Sequence, residues 1–469
     1  MKSHSEILEF LNSLPFIKTI TSLSSEKNID SYLVGGIVRD FLLNRGRKDI
    51  DIVVTGNGLE FAEEFAKKMG IQNLTVFSRY GTAHMRLGNY EIEFVGARKE
   101  SYNLESRNPE VMPAEFEEDI SRRDFTVNAL AISLNERNFG ELIDLHGGLN
   151  DLKTGVLKTP LEPEKTFNDD PLRMMRACRF ASQLNFQIDD SVCEAIKTHS
   201  QRINIITKER ISVEFVKTIA SPKPSVGLIY MFKLGLLKEF FPELNRMGGI
   251  DQRNDYHHKD VFYHTCQVVD NISEVTDKIW LRFAALLHDI GKPPTKRFIE
   301  GTGWTFHGHE EVGARMLKSI FRKLVLPMNQ LPYMEKLVRL HLRPVALSKE
   351  EVTDSAIRRL IVDAGEDLDD LIMLCRADIT SKNPVKVSNI LKNYEVVMER
   401  VKDVREKDAL RAFQSPVRGD EIMKICNIPP GREVGILKSA IEEAILEGEI
   451  GNNYEEALAF LLRIKDNYL

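Results

Sequence analysis

Two hydrophobic periods alternate along the first hundred residues, and each change of period marks an element. Residues 5–20 carry apolar side chains at helical spacing and predict a short amphipathic helix. Short alternating or continuous apolar runs then predict strands near 31–35, 49–54, 74–78, 83–88 and 90–97, around a helix at about 58–69. Strands and helices in this irregular order make an α+β head on a mixed sheet. Beyond it the pattern is mostly α-helical, through the stretch after Pro171, the apolar run Leu281 to Leu287 and a charged segment from about 385 to 412. No run approaches a membrane span, and Met1-Lys2-Ser3-His4-Ser5-Glu6 lacks the apolar core of a signal peptide.

Within the head, Leu33-Val34-Gly35-Gly36-Ile37-Val38-Arg39-Asp40 reads as a buried strand passing through a glycine pair into a helix. Such a pair offers backbone N–H groups near a helix N-terminus with no Cβ in the way, a seat for a triphosphate. On the next strand Asp49 and Asp51 project from one face, because strand side chains repeat every two residues. Bare carboxylates so placed repel. Divalent cations remove that penalty, and Mg²⁺ binds through one or two carboxylates together with substrate phosphates. On strand 90–97, Glu91 and Glu93 alternate with Ile92 and Phe94; Glu93 is the candidate third carboxylate, with a surface glutamate as the alternative.

Composition narrows the class without naming a reaction. The chain has 469 residues, 42% hydrophobic and 29% charged, and a net charge of −6, which excludes a uniformly basic nucleic-acid binder but not a local basic face. Its length allows two to four domains. Five scattered cysteines (Cys178, Cys193, Cys266, Cys375, Cys426) show no zinc spacing, so a reduced, cytoplasmic compartment is expected.

Farther on, Arg122-Arg123-Asp124-Phe125-Thr126-Val127-Asn128 places two guanidiniums beside Asp, Thr and Asn at helical spacing. These suit phosphate oxygens and ribose hydroxyls, the alternative being a capped, salt-bridged helix start. Asp144 through Gly148 supplies a glycine-rich turn suited to a hinge. After Asp169-Asp170-Pro171, a helix carries Arg173, Arg176 and Arg179 at three-residue steps along one side. Asp170 and Arg173 are either a surface ion pair or a base reader. A carboxylate beside a guanidinium matches the amine and ring-nitrogen acceptor of cytosine or adenine. Uracil and guanine would leave buried polar groups unpaired.

Taken jointly and in this order, these motifs resemble those of class II tRNA nucleotidyltransferases, the CCA-adding enzymes and bacterial poly(A) polymerases of the polymerase β superfamily, over about residues 28–245. The resemblance implies that Asp49 and Asp51 hold catalytic Mg²⁺, that Gly35, Gly36 and Arg39 seat the triphosphate, and that Arg123, Asp124 and Asn128 meet the ribose. Asp169-Asp170-x-x-Arg173 is similar to the family's amino-acid template, usually Glu-Asp-x-x-Arg, and Glu209-Arg210-Ile211-Ser212-x-Glu214-Phe215 to the motif that braces it. The implied partners are tRNA, CTP and ATP.

A second constellation follows residue 245. His257, His258 and His264 precede an apolar helix ending in His288-Asp289, with His309, His341 and Asp378 farther on. Neutral imidazoles and carboxylates on several helices are the ligand set of a transition-metal phosphohydrolase site. The set resembles the HD superfamily, which implies His264, His288, Asp289 and Asp378 as core ligands of a divalent transition metal, His309 and His341 as ligands of a second, and Lys292 as a phosphate contact. The tail carries Pro416-x-x-Gly419-Asp420 and Pro429-Pro430-Gly431-Arg432-x-x-Gly435, glycine turns that could present N–H groups to tRNA.

The expected division is a nucleotidyltransferase head at 1–155, a helical neck at 156–245, an HD domain at 246–385 and a helical tail at 386–469. The expected activity is template-independent addition of CTP and ATP to a tRNA 3′ end. Its rivals are a poly(A) polymerase, a partial CC- or A-adding enzyme, and an HD phosphohydrolase whose head only binds RNA.

Overall fold

A proline divides the first helix. The stretch expected as one helix over 5–20 is instead α1 (His4–Ser13) and α2 (Ile17–Lys27). Pro15 lacks the N–H that a continuous helix needs and forces Leu14 into extended backbone, with φ −91° and ψ 110°. The computed structural model describes residues 2–46, 49–78, 81–103, 106–250, 260–347, 353–381, 383–408 and 415–468.

The head then follows the expected order. β1 (Ser31–Val34) leads into α3 (Gly36–Leu42), and β2 (Asp49–Val54) precedes α4 (Gly58–Met69). The side chain of Asn57 caps α4 by accepting from Leu59 N and Glu60 N. β3 (Leu74–Phe77), β4 (Thr82–Leu87) and β5 (Tyr90–Gly96) follow, then a separate antiparallel hairpin of β6 (Arg98–Asn103) and β7 (Ser106–Pro113) that the apolar pattern did not predict. After α5 (Phe116–Ser121), β8 (Leu130–Ser133) and β9 (Leu142–Asp144) complete a seven-stranded sheet in the order β3-β4-β5-β2-β1-β8-β9. The pair β2 and β5 is parallel and the other neighbours are antiparallel, so the sheet is mixed.

Alternation assigns the faces of this sheet. Ile50, Ile52 and Val54 of β2 join the large core with Phe61, Phe65 and Phe94, whereas Val53 lies in a smaller cluster with Tyr32, Val34 and Phe116. Asp49 and Asp51 share the Val53 face, and the β2/β5 register sets Asp51 beside Glu93.

Beyond the sheet the chain is mainly helical. α6 (Gly148–Thr154) starts where the Asp144 carboxylate accepts from Gly148 N and Leu149 N. α7 (Pro163–Asp169), α8 (Leu172–Leu184), α9 (Asp190–His199) and α10 (Lys208–Ile219) follow. Contacts divide the chain into two compact units, Met1–Pro242 and Glu243–Leu469. The second is built from helices such as Val261–Ser273, Ile279–Leu287, His309–Lys323, Leu331–Leu340, Leu368–Ala377 and the charged Pro384–Asp408, with one two-stranded ribbon among the described residues. In the tail, Gly435 is not a turn: it sits inside the helix Arg432–Leu446, and Gly419 opens the helix Gly419–Cys426.

Candidate active site and metal cluster

Glycine at position 35 lets a strand, a helix and two charged side chains converge. Gly35 has φ +74°, and a Cβ there would lie 3.1 Å from Arg123 Nη1 and 3.2 Å from Asp51 Oδ2. It opens onto a cavity of about 790 Å³ lined by Gly35, Gly36, Arg39, Asp49, Asp51, Arg122, Arg123, Asp124, Asn128, Asp170, Arg173, Arg176 and Arg179, together with Phe180, Arg210 and Lys217. Apart from Glu93, every transfer-site residue expected from the sequence lines this one space. Glu93 is half-buried next to Asp51, and burial, then the negative charge of Asp51, hold its carboxyl above the ordinary range.

The cavity wall is a buried polar network. Arg39 donates to Asp40 Oδ1 at 2.8 Å and to Asn128 Oδ1 at 2.6 Å, and Asn128 Nδ2 donates to Asp124 Oδ1 at 2.9 Å. Arg176 Nε donates to Asp124 Oδ2 at 2.7 Å, and Glu214 of α10 pairs with Arg179 at 3.2 Å. Burial works against the Asp124 charge, but Arg176, Asn128 and Arg173 outweigh it and hold its carboxyl at about 2. Phe180 lies under three guanidiniums, those of Arg39, Arg176 and Arg179, at 5.1, 5.3 and 4.2 Å.

Three details differ from the sequence reading. Residues 122–130 are not an α-helix: α5 stops at Ser121, and Thr126–Asn128 is one 3₁₀ turn. The side chains of Asp170 and Arg173 meet other partners, although the Arg173 N–H donates to the Asp170 carbonyl at 3.0 Å. Asp170 Oδ2 meets Arg210 at 3.3 Å, while Arg173 Nη2 donates to the Arg122 carbonyl at 2.6 Å. Fully buried Asp119 was given no role of its own, yet it accepts from both Arg122 and Arg123, at 2.7 and 3.2 Å.

The second unit gathers the other candidates. His264 Nε2 is 2.8 Å from Asp378 Oδ1, which is 3.4 Å from His288 Nε2. Asp289 lies between two groups, with Oδ2 3.1 Å from His288 Nε2 and Oδ1 3.2 Å and 3.9 Å from His309 Nε2 and His341 Nε2. The ligand atoms of His264, His288 and Asp378, and those of Asp289, His309 and His341, each cluster within 4.8 Å. Backbone carbonyls three residues back, those of Ala285, Phe306 and Val338, meet Nδ1 of His288, His309 and His341 at 2.8, 2.8 and 2.6 Å. That places the ring proton on Nδ1 and turns the Nε2 lone pairs inward, where these buried nitrogens have no hydrogen-bond partner among the described residues. Lys292 Nζ pairs with Asp289 Oδ2 at 2.7 Å. His257 and His258 lie outside the described residues.

Comparison with known proteins follows the same division. Residues 31–158 match the poly A polymerase head domain, 185–247 the probable RNA- and SrmB-binding site of polymerase A, and 261–381 the HD domain. The A-adding tRNA nucleotidyltransferase of Deinococcus radiodurans is 32% identical over 92% of this chain and 94% of its own. The chain belongs to the tRNA nucleotidyltransferase family. This nucleotidyltransferase is also 31% identical to the CC-adding enzyme of Thermus thermophilus, over 92% of this chain and 93% of that one. It matches the A-adding enzyme of Aquifex aeolicus at 41% over 215 residues, 46% of this chain and about a quarter (24%) of the length of that relative. In fold it is similar to a CCA-adding enzyme in its apo form II, with a TM-score of 0.65 and 24% identity over 98% of this chain and 99% of that one. Among the described residues, no helix is long and apolar enough to cross a membrane.

Proposed function

We propose that this chain adds CTP and ATP to the 3′ end of tRNA without a nucleic-acid template, in the cytoplasm. One observation carries the reading: the glycine pair and aspartates suited to phosphates and metal share a single cavity with Asp170 and Arg173, which are suited to a base edge. Gly35, Gly36 and Arg39 seat the triphosphate. Arg123, Asp124 and Asn128 shape the ribose side, Asp124 acting mainly through Arg176 and Asn128. Arg176 and Arg179 form the floor beside Phe180. Asp170 and Arg173 then choose the base, after exchanging their present partners for it.

The carboxylates fit magnesium. Asp49 and Asp51 share one strand face, and Glu93 lies beside Asp51 with its carboxyl raised first by burial and then by the Asp51 charge, a carboxylate set whose crowding a divalent cation would relieve. Two Mg²⁺ ions held there would activate the tRNA 3′ hydroxyl and neutralise the triphosphate as pyrophosphate leaves. The inward-facing Nε2 atoms of the second unit fit a divalent transition metal as the donor set of a phosphohydrolase, with Asp289 close to His288 of one ligand group as well as to His309 of its own. That metal would polarise a phosphoryl group. The four-part division at 155/156, 245/246 and 385/386 is the map we propose for these activities.

A second reading has its own support. Two relatives at or above 30% identity over more than nine-tenths of the chain are an A-adding and a CC-adding enzyme, so addition of part of the CCA end is the alternative. Purified chain should be given tRNA lacking CCA and tRNA ending in CC, with each nucleotide alone and both together. Full CCA addition predicts two C residues and then one A on the first substrate. Incorporation that stops at CC, or that requires a CC end, gives the partial reading, and long A tails on generic RNA overturn both.

A further inference from the structure

Between two histidine-bearing helices of the metal cluster, the chain makes an excursion that the catalytic readings leave unused. It leaves Asp289 through the short helix Lys292–Thr295, forms an antiparallel ribbon of Arg297–Ile299 and Gly303–Thr305, and returns at His309. The turn between the strands uses Gly301 and Gly303, at φ +79° and +90°. At its base Thr305 is buried and its hydroxyl donates to the Arg297 carbonyl.

The ribbon exposes what a fold normally buries. Phe298 and Trp304 are direct cross-strand partners and so share a face; their rings meet edge to face at 5.3 Å, yet they are 61% and 42% exposed. Lys296 Nζ lies 4.4 Å over the indole, and Lys292 Nζ lies 5.8 Å over Phe306. Single exposed hydrophobics need no explanation. Two opposed aromatic rings on a solvent-facing ribbon, flanked by ammonium groups that lead toward a phosphate-type cluster, have a composition matched to one ligand chemistry. Bases stack on aromatic faces, and lysines meet the phosphates between them. A cross-strand pair that served only to hold the ribbon together would require neither Lys296 nor the exposure.

We propose that the ribbon 297–305 is a stacking platform for an unpaired RNA 3′ end, delivering its terminal phosphate past Lys292 to the histidine and aspartate cluster. The route to the cluster rests on the phosphohydrolase reading above; the stacking does not. Glu300 in the turn disfavours a phosphate path over the tip, which leaves the Lys296 side as the way in.

The chain has two tryptophans, and Trp280 packs on Phe283 and Phe321. In a full-length Trp280→Phe chain, indole emission therefore reports Trp304 alone. Titration with an unstructured RNA octamer bearing a 3′ phosphate should quench that emission saturably, and a blunt duplex of the same length should not. Phe298→Ala should raise the midpoint about tenfold, as expected for the loss of one stacked base. No quenching, equal quenching by duplex, or a dimer that Phe298→Ala disperses would overturn the proposal. Phosphate release from the same octamer, measured with added divalent metals, separates the two readings. Saturable quenching without release keeps the platform and removes the hydrolytic site, whereas release without quenching removes the platform.

Discussion

At the scale of single residues, the transfer site depends on positions where one atom more or less changes what can approach. Gly35 is the clearest, because its positive φ disfavours any L side chain and a Cβ would press on Arg123 and Asp51 together. Gly35→Ala should cost about 2 kcal/mol of strain and displace Arg123 and Asp51. Steady-state kinetics should show KM for the nucleotide rising together with a fall in kcat; unchanged kinetics would remove Gly35 from the seat. That Asp49 and Asp51 share one strand face was legible from a two-residue period alone. The Arg210 partner of Asp170, forty positions away, was legible only through the family resemblance of the bracing motif; the Arg122 carbonyl that meets Arg173 was not, because it belongs to a turn that no periodicity announces.

At the scale of elements, what holds the site is an ion network linking the turn after α5 to α8 and α10, centred on Asp124, Arg176 and Glu214. Asp124 titrates at about 2 in the fold, below the unfolded value of about 3.9. A depressed carboxylate stabilises the fold fully above its unfolded pKa, and that contribution disappears as pH falls from about 4 toward 2. Denaturant melts across that window should therefore show wild-type stability falling with acid. Asp124→Asn should lose about 3 kcal/mol at neutral pH and show a flatter acid limb; an equally steep limb would contradict the role given to Asp124. Strands β1, β2 and β5 were readable because their apolar alternation matches two buried faces. The β6 and β7 hairpin was not, since Arg98-Lys99-Glu100-Ser101-Tyr102-Asn103 carries almost no apolar alternation and its pairing rests on the backbone ladder. Pro15 was in plain view, and its power to break a helix outweighs the apolar spacing on either side of it.

At the scale of the whole molecule, a net charge of −6 conceals a cavity lined by eight basic side chains and, with Asp40, five acidic ones, so bulk charge misjudges what the head can hold. The transfer cavity and the histidine and aspartate cluster lie in two different compact units. Replacing His288 and Asp289 together by alanine should abolish metal binding by the second unit, read by metal analysis after dialysis, and leave nucleotide incorporation onto tRNA unchanged. Loss of both would join the sites into one function. The central claim is that Asp49 and Asp51 set the reaction while Asp170 and Arg173 set the base. Incorporation of CTP, ATP, UTP and GTP by Asp170→Ala, with Asp49→Ala as the inactive reference, tests it most directly. Asp170→Ala should still transfer nucleotides, with its preference for CTP and ATP over UTP and GTP reduced by about ten- to a hundredfold; active Asp170→Ala protein with unchanged base choice would show that Asp170 does not select the base.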